Sequence, residues 1–181
     1  IIERVDEYLP DMNGLGYSAA VAGYFVTLVY LGQTKEILKR GKHGFENMDL
    51  AERYVGLTDW FYKYVYGTYF YFLNLPNVVL GKNFDRDFAA RGLRYNEKEN
   101  YLDLVWWLHC LNWEWLSWRG MGKEFQKESD VAQEMSRKLG RPASTEMWYY
   151  CYRTRIQVLL YEYDLAVESV EKLYTLGQRT G

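Results

Sequence analysis

An all-α fold follows from three properties of this sequence. Apolar residues recur at helical spacing over long stretches, no stretch keeps the strict alternation of a half-buried strand, and only 3 prolines interrupt 181 residues. The expected architecture is a single helical, membrane-associated domain over residues 1–181, built from about four to five helices, one of them a transmembrane helix and a second able to span.

The first helix carries most of that reading. No charged residue lies between Met12 and Thr34, and a bilayer crossing needs about 20 apolar residues. Pro10, Asn13, Gly14 and Gly16 break the chain before it. The helix is expected from about Tyr17 to Arg40, closing near Gly41 and Gly44. Gly16 and Ala20, and Ala19 and Gly23, are four apart, the small-residue spacing that lets helices pack closely in lipid.

A second helix is expected from about Asp49 to Leu73, capped by Asn47 or Asp49. Its later half, from Trp60, is dense in aromatics with Lys63 as its one charge. Asn74, Pro76 and Asn77 should end or kink it. The stretch from Tyr64 to Gly81 could cross a bilayer only if neighbouring protein satisfied its backbone. Lys82 to Glu99 reads as a solvated connection. The third helix, about Asn100 to Arg119, puts Leu104, Trp107, Leu108, Leu111, Trp115 and Trp118 on one broad face. Lys123 to Leu139 is a charged helix stopped by Gly140 and Pro142. The last runs from Ser144 to about Leu176, with Ile156, Leu159, Leu160, Tyr163, Val167, Val170 and Leu173 at helical spacing.

Composition narrows the function. Net charge is -2, so no global field recruits nucleic acid. The chain holds 18 Tyr and 7 Trp, side chains suited to membrane interfaces and to protein interfaces. The same aromatics would also serve a soluble helical core, and the mean hydropathy of -0.39 favours that alternative. Cys110 and Cys151 form no metal-type pair and read as buried thiols, with one helix-to-helix disulfide as the alternative. The chain opens Ile1-Ile2-Glu3 without Met. Glu3, Asp6, Glu7 and Asp11 make that start too acidic for a signal or transit peptide.

Scarcity of histidine removes several chemistries. Only His43 and His109 are present, and neither has a Glu three residues earlier, as a di-iron bundle requires. Neither has a second His four residues away, as a zincin requires. His109 reads as a packed side chain, with haem ligation or proton transfer as the alternative. No phosphate loop or nucleophile elbow is present. No catalytic residue and no metal ligand is therefore expected. Asp59, Asp103, Glu114, Glu162 and Asp164 sit among aromatics and should be paired or exposed.

Lys35, Lys39, Arg40 and Lys42 follow the first span directly, where anionic headgroups would lie. Arg153 and Arg155 hold a comparable place beside an apolar helix. These six are the candidate lipid-binding residues, for anionic phospholipid such as cardiolipin. The lysine-rich side should face cytoplasm or matrix.

The order from Ile37-Leu38-Lys39-Arg40-Gly41-Lys42 resembles the peroxin-11 family. An aromatic helix follows, then the Trp-rich helix at Trp106-Trp107 and Trp113 to Trp118, then a charged segment. The closing helix runs Tyr163-Asp164-Leu165-Ala166-Val167 to Leu173-Tyr174-Thr175-Leu176-Gly177. The resemblance covers Tyr30 to Gly177, although the family's upstream amphipathic helix is largely missing. It implies a non-enzymatic protein that remodels peroxisomal membranes through amphipathic helices.

Taken together, the residues suggest a non-catalytic accessory subunit of a multisubunit organellar membrane complex. Its partners would be other subunits and membrane lipid, with no cofactor beyond bound phospholipid. The mitochondrial inner membrane is the first expected address and the peroxisomal membrane the second. Membrane remodelling and a soluble helical binding domain are the alternative functions.

Overall fold

In a computed structural model, residues 14–82, 84–140 and 142–180 are described. Expectations about the acidic start and the break at Pro10 and Asn13 lie outside them. Among the described residues the chain is all helical, with eight helices in place of four to five. They are α1 (Gly14–Tyr30), α2 (Thr34–Tyr54), α3 (Trp60–Val79), α4 (Arg86–Lys98), α5 (Leu102–Trp118), α6 (Gly122–Lys138), α7 (Pro142–Leu159) and α8 (Tyr163–Thr180).

The higher count has a local cause. Among the described residues, each of the seven junctions between these helices holds one residue with positive φ: Gly32, Gly56, Gly81, Asn100, Gly120, Gly140 and Tyr161. Gly32 shows what such a residue does. Its N–H bonds the Val29 carbonyl at 3.0 Å, and the Gln33 N–H bonds the Leu28 carbonyl at 2.9 Å. This Schellman pairing ends a helix and reverses the chain. The expected helix from Tyr17 to Arg40 is therefore two helices, α1 and α2.

The transmembrane expectation is corrected at the same point. Seventeen residues of α1 span about 25 Å, short of the roughly 30 Å hydrocarbon core. Over Tyr64 to Gly81, α3 is too polar, with Tyr64, Tyr66, Tyr69 and Tyr71 beside Asn74 and Asn77. No described helix is long and apolar enough to cross a membrane.

Four further boundaries differ from expectation. Between α2 and α3 the Leu57 N–H donates to the Glu52 carboxylate at 2.8 Å, and Asp59 caps α3 by accepting from the Phe61 N–H at 2.8 Å. Pro76 lies inside α3, which continues to Val79. The buried Asn74 donates to the Phe70 carbonyl at 3.2 Å and accepts from the Asp85 N–H at 3.1 Å, tying the end of α3 to the start of α4. The expected solvated connection after Lys82 is largely α4, capped where Asp85 accepts from the Phe88 N–H at 3.0 Å. The Ser144–Leu176 helix divides at Tyr161 into α7 and α8. The third and the charged helix match α5 and α6 within two residues.

The chain forms two compact units, one of residues 14–80 with 85–101 and the other of 81–84 with 102–180. Each unit stacks two helical hairpins. In the first, α1–α2 and α3–α4 are the hairpins, α2 packs on α3, and α1 also packs on α3. The second repeats this scheme with α5–α6, α7–α8, α6 on α7 and α5 on α7. Pairs of helices stacked this way are the building mode of α-solenoids, which bury their apolar faces between neighbours.

Aromatic side chains fill both units. In the first, Val21, Phe25, Leu28, Ile37, Met48, Tyr66, Tyr69 and Phe70 are fully buried or nearly so. The Tyr69 hydroxyl crosses the face of α2 to donate to the Ser18 carbonyl at 2.6 Å, and burial raises its pKa from the usual tyrosine value. Gly44 makes that crossing possible, because a Cβ there would meet the Tyr69 hydroxyl. In the second unit Trp113 is fully buried, with Phe125 at 5.7 Å and Tyr152 at 6.5 Å between ring centroids. Its indole N–H has no hydrogen-bond partner among the described residues.

Of the four small residues expected to pack α1, Gly16, Ala19 and Ala20 are half-buried and Gly23 is exposed. A Cβ at Gly23 would meet nothing within 4 Å. The close approaches lie elsewhere, at Gly41, Gly44 and Gly92. Gly44→Ala should therefore cost about 2 kcal/mol in chemical denaturation, because Tyr69 must leave its place. Gly23→Ala should instead stabilise by about 0.5 kcal/mol, since alanine favours an open helix position over glycine. Destabilisation by the second substitution would show that the small-residue stripe is packed.

Candidate interaction surfaces

A polar cluster braces the first unit. Asp49 on α2 accepts from the Tyr66 hydroxyl at 2.6 Å and pairs with Arg53 at 2.8 Å and with Arg91 of α4. The Arg91 guanidinium also lies over the Phe45 and Phe70 rings, at 5.5 and 5.6 Å. Burial, then the bond to Asp49, raises the Tyr66 pKa. A second brace joins Lys63 of α3 to Glu99 at 2.8 Å, and that hydrogen bond raises the lysine's pKa. Both clusters tie helices together. Each charge meets its opposite within the protein, so neither presents an idle reactive group.

These braces flank the α2–α3 turn, which carries several exposed large apolar side chains. Tyr54 is 82% exposed, Val55 84% and Trp60 69%, with Leu50 and Phe61 beside them in sequence and also exposed. The turn is ordered by the Glu52 and Asp59 bonds described above, and the Tyr101 hydroxyl donates to the Trp60 carbonyl at 3.3 Å. A cavity of about 360 Å³ lined by Gly14, Leu15, Asn47, Leu50, Ala51 and Tyr62 shares Leu50 with it. Sequence reading missed this surface because it ran one helix through Tyr54.

The six candidate lipid-binding residues divide. Lys35, Lys39 and Lys42 are exposed on α2 at helical spacing, one basic row. Arg40 is half-buried and its Nε bonds Glu36 at 3.1 Å. Arg153 donates to the Tyr149 hydroxyl at 3.3 Å. Arg155 donates to the Ser117 hydroxyl at 3.0 Å and stacks 4.0 Å above the Trp118 ring. Both arginines are half-buried and bond side chains of the second unit.

The remaining candidates have structural surroundings. His109 is buried on α5 and its Nδ1 lies 3.2 Å from Glu128 of α6. Burial raises the Cys110 thiol's pKa, keeping it protonated, and both cysteines are free. Asp59 is a helix cap, while Glu162 and Asp164 are exposed. Asp103 and Glu114 are half-buried. Among the described residues no group of His, Cys, Asp or Glu could hold a metal ion. Asp49 escaped sequence reading, which treated it only as a helix start.

No protein-family model matches the chain, and comparisons with curated proteins and with solved structures find no match either.

Asp49→Asn should cost about 2 kcal/mol, because it leaves Arg91 among the aromatic rings without its carboxylate. Arg53→Ala should cost less than about 0.5 kcal/mol, since that arm of the cluster is exposed. Denaturant titration of both variants checks the contrast. Replacing Lys35, Lys39 and Lys42 with Gln should weaken co-sedimentation with anionic vesicles about a hundredfold, at roughly 1 kcal/mol per basic residue. Arg153→Gln with Arg155→Gln should leave it unchanged. Equal effects of the two sets would remove the basic row as a lipid contact.

Proposed function

We propose that this chain is a non-catalytic structural subunit of a multisubunit complex at an organellar membrane, the mitochondrial inner membrane first, held on the bilayer and not across it. The observation that carries the reading is the ordered, solvent-facing surface of Leu50, Tyr54, Val55, Trp60 and Phe61. Large rigid aromatics exposed together are characteristic of contact surfaces, where they add buried area at low entropic cost. Here the turn that presents them is pinned by carboxylate–backbone bonds, so the surface is pre-organised for a neighbour.

Two further features support this reading. The hairpin scheme of each unit buries helices against their neighbours and leaves whole faces for partners. The Lys35, Lys39 and Lys42 row suits anionic headgroups, a peripheral contact in keeping with helices that do not span.

Mild-detergent extraction followed by native sizing tests the proposal. The chain should migrate with a large assembly, and an alkaline wash of the membrane should release it. Val55→Ser with Trp60→Ser should leave the chain folded and shift it to small size. A wild-type chain that runs alone before any wash would overturn the reading.

A further inference from the structure

We propose that α8 docks a basic amphipathic helix of a partner subunit. The inference rests on the structural-subunit reading and names the chemistry of one partner, from residues in the second unit that the reading does not use.

On α8, Tyr163, Val167, Val170 and Tyr174 follow the i, i+4, i+7, i+11 spacing of a single helix face. They are 57%, 58%, 49% and 67% exposed. The face that meets α7 is a different one, marked by the buried Ala166 and Ser169, with the Ser169 hydroxyl on Gln157 at 2.8 Å. The exposed row extends over three turns, about 16 Å. A row of that length and spacing is what helix-to-helix recognition uses. The apolar surface does not stop at the helix. Tyr161 is exposed at the preceding junction, its ring 6.2 Å from Tyr163 and edge-on.

The charge beside this row selects the occupant. Asp164, Glu168 and Glu171 sit one position further round the helix, and all are exposed. None of them forms an ion pair with a basic side chain among the described residues. Glu168 and Glu171 line a cavity of about 510 Å³ with Lys172 and with Glu146 and Tyr150 of α7, where three carboxylates outnumber one ammonium. A partner helix would thus bring apolar residues onto Tyr163, Val167, Val170 and Tyr174, with Lys or Arg along one edge. Anionic lipid is a poor occupant, because membrane-surface helices carry basic residues beside the apolar face and this one carries carboxylates. A second copy docking through the same face is also disfavoured, since two acidic rows would meet.

The test uses the full chain and two synthetic helical peptides with Leu at i, i+4, i+7 and i+11, one edged with Lys and one with Glu. By fluorescence anisotropy the Lys peptide should bind at least about tenfold more tightly. Glu168→Lys with Glu171→Lys should invert that preference. Val167→Ser with Val170→Ser should weaken both peptides about tenfold while the thermal transition stays in place, since both side chains are exposed. Equal binding of the two peptides, or a preference unmoved by the charge reversal, would overturn the proposal. Vesicle binding or self-association, by co-sedimentation and sedimentation velocity, would also overturn it if the valine variant abolished either one. Native sizing separates the two readings. If the two peptides bind alike while the wild-type chain stays in the large assembly, the docking inference fails alone; if the wild-type chain runs by itself, the subunit reading fails.

Discussion

Left-handed residues at the helix junctions are the constraint on which the rest of this architecture depends. One such residue stands at each of the seven junctions among the described residues, five of them glycine. A right-handed chain of L-residues enters that region only at a cost, so each position is a commitment to reverse direction. Reversal keeps helices short, with none longer than the 21 residues of α2. Short antiparallel helices cannot bury their apolar faces alone. They pair into hairpins, the hairpins stack, and the same scheme arises in both units.

Close stacking then explains the aromatic composition. Helices approach where a glycine opens space for a ring, as Gly92 does for Phe70 and Gly41 for Phe25 and Leu73. Tyrosine suits these sites better than phenylalanine where its hydroxyl can reach a carbonyl or carboxylate, as with Tyr69 on Ser18 and Tyr66 on Asp49. The polar handles that suggested a membrane interface are turned inward at these positions. Part of what resembled an interfacial belt in the sequence is the interior of two helical units, while Tyr54, Trp60, Trp118 and Tyr174 among others stay exposed.

Helical character was legible because it depends on apolar spacing, and spacing survives in a single sequence. Helix ends were not, because they depend on one backbone angle. Gly32 lies inside an uncharged run, where a glycine is tolerated by a membrane helix as readily as it ends a soluble one. Tyr161 carries no turn signal at all, yet it takes φ 61. α4 was hidden for another reason. Its buried positions include Ala89, Gly92 and Asn96, so its inner face lacks the large residues that periodicity detects. Asp85 followed by Phe88, Gly92 and Tyr95 was the signal available. Among the candidate sites, the lysine row was visible as charge, whereas the engagement of Arg155 depends on a helix far away in sequence, and that of Arg153 on Tyr149 one turn earlier.

Charge adds a final physical argument about what the surfaces face. The net value of -2 hides two rows of opposite sign on separate helices: Lys35, Lys39 and Lys42 on α2, and Asp164, Glu168 and Glu171 on α8. Solvation alone would favour mixed charges along each helix, with i,i+4 pairs such as Glu36 with Arg40. Lys172 shares a cavity with Glu168 and Glu171 but ion-pairs with neither, so the rows keep part of their self-repulsion, a cost that an oppositely charged neighbour removes. On α8 that row borders large apolar side chains, and the adjoining junction holds an exposed tyrosine in a conformation that glycine would adopt more easily. Removing Tyr161 would ease the backbone and shorten the apolar surface. Its presence weighs toward contact over local stability, and the two rows weigh toward neighbours of opposite charge.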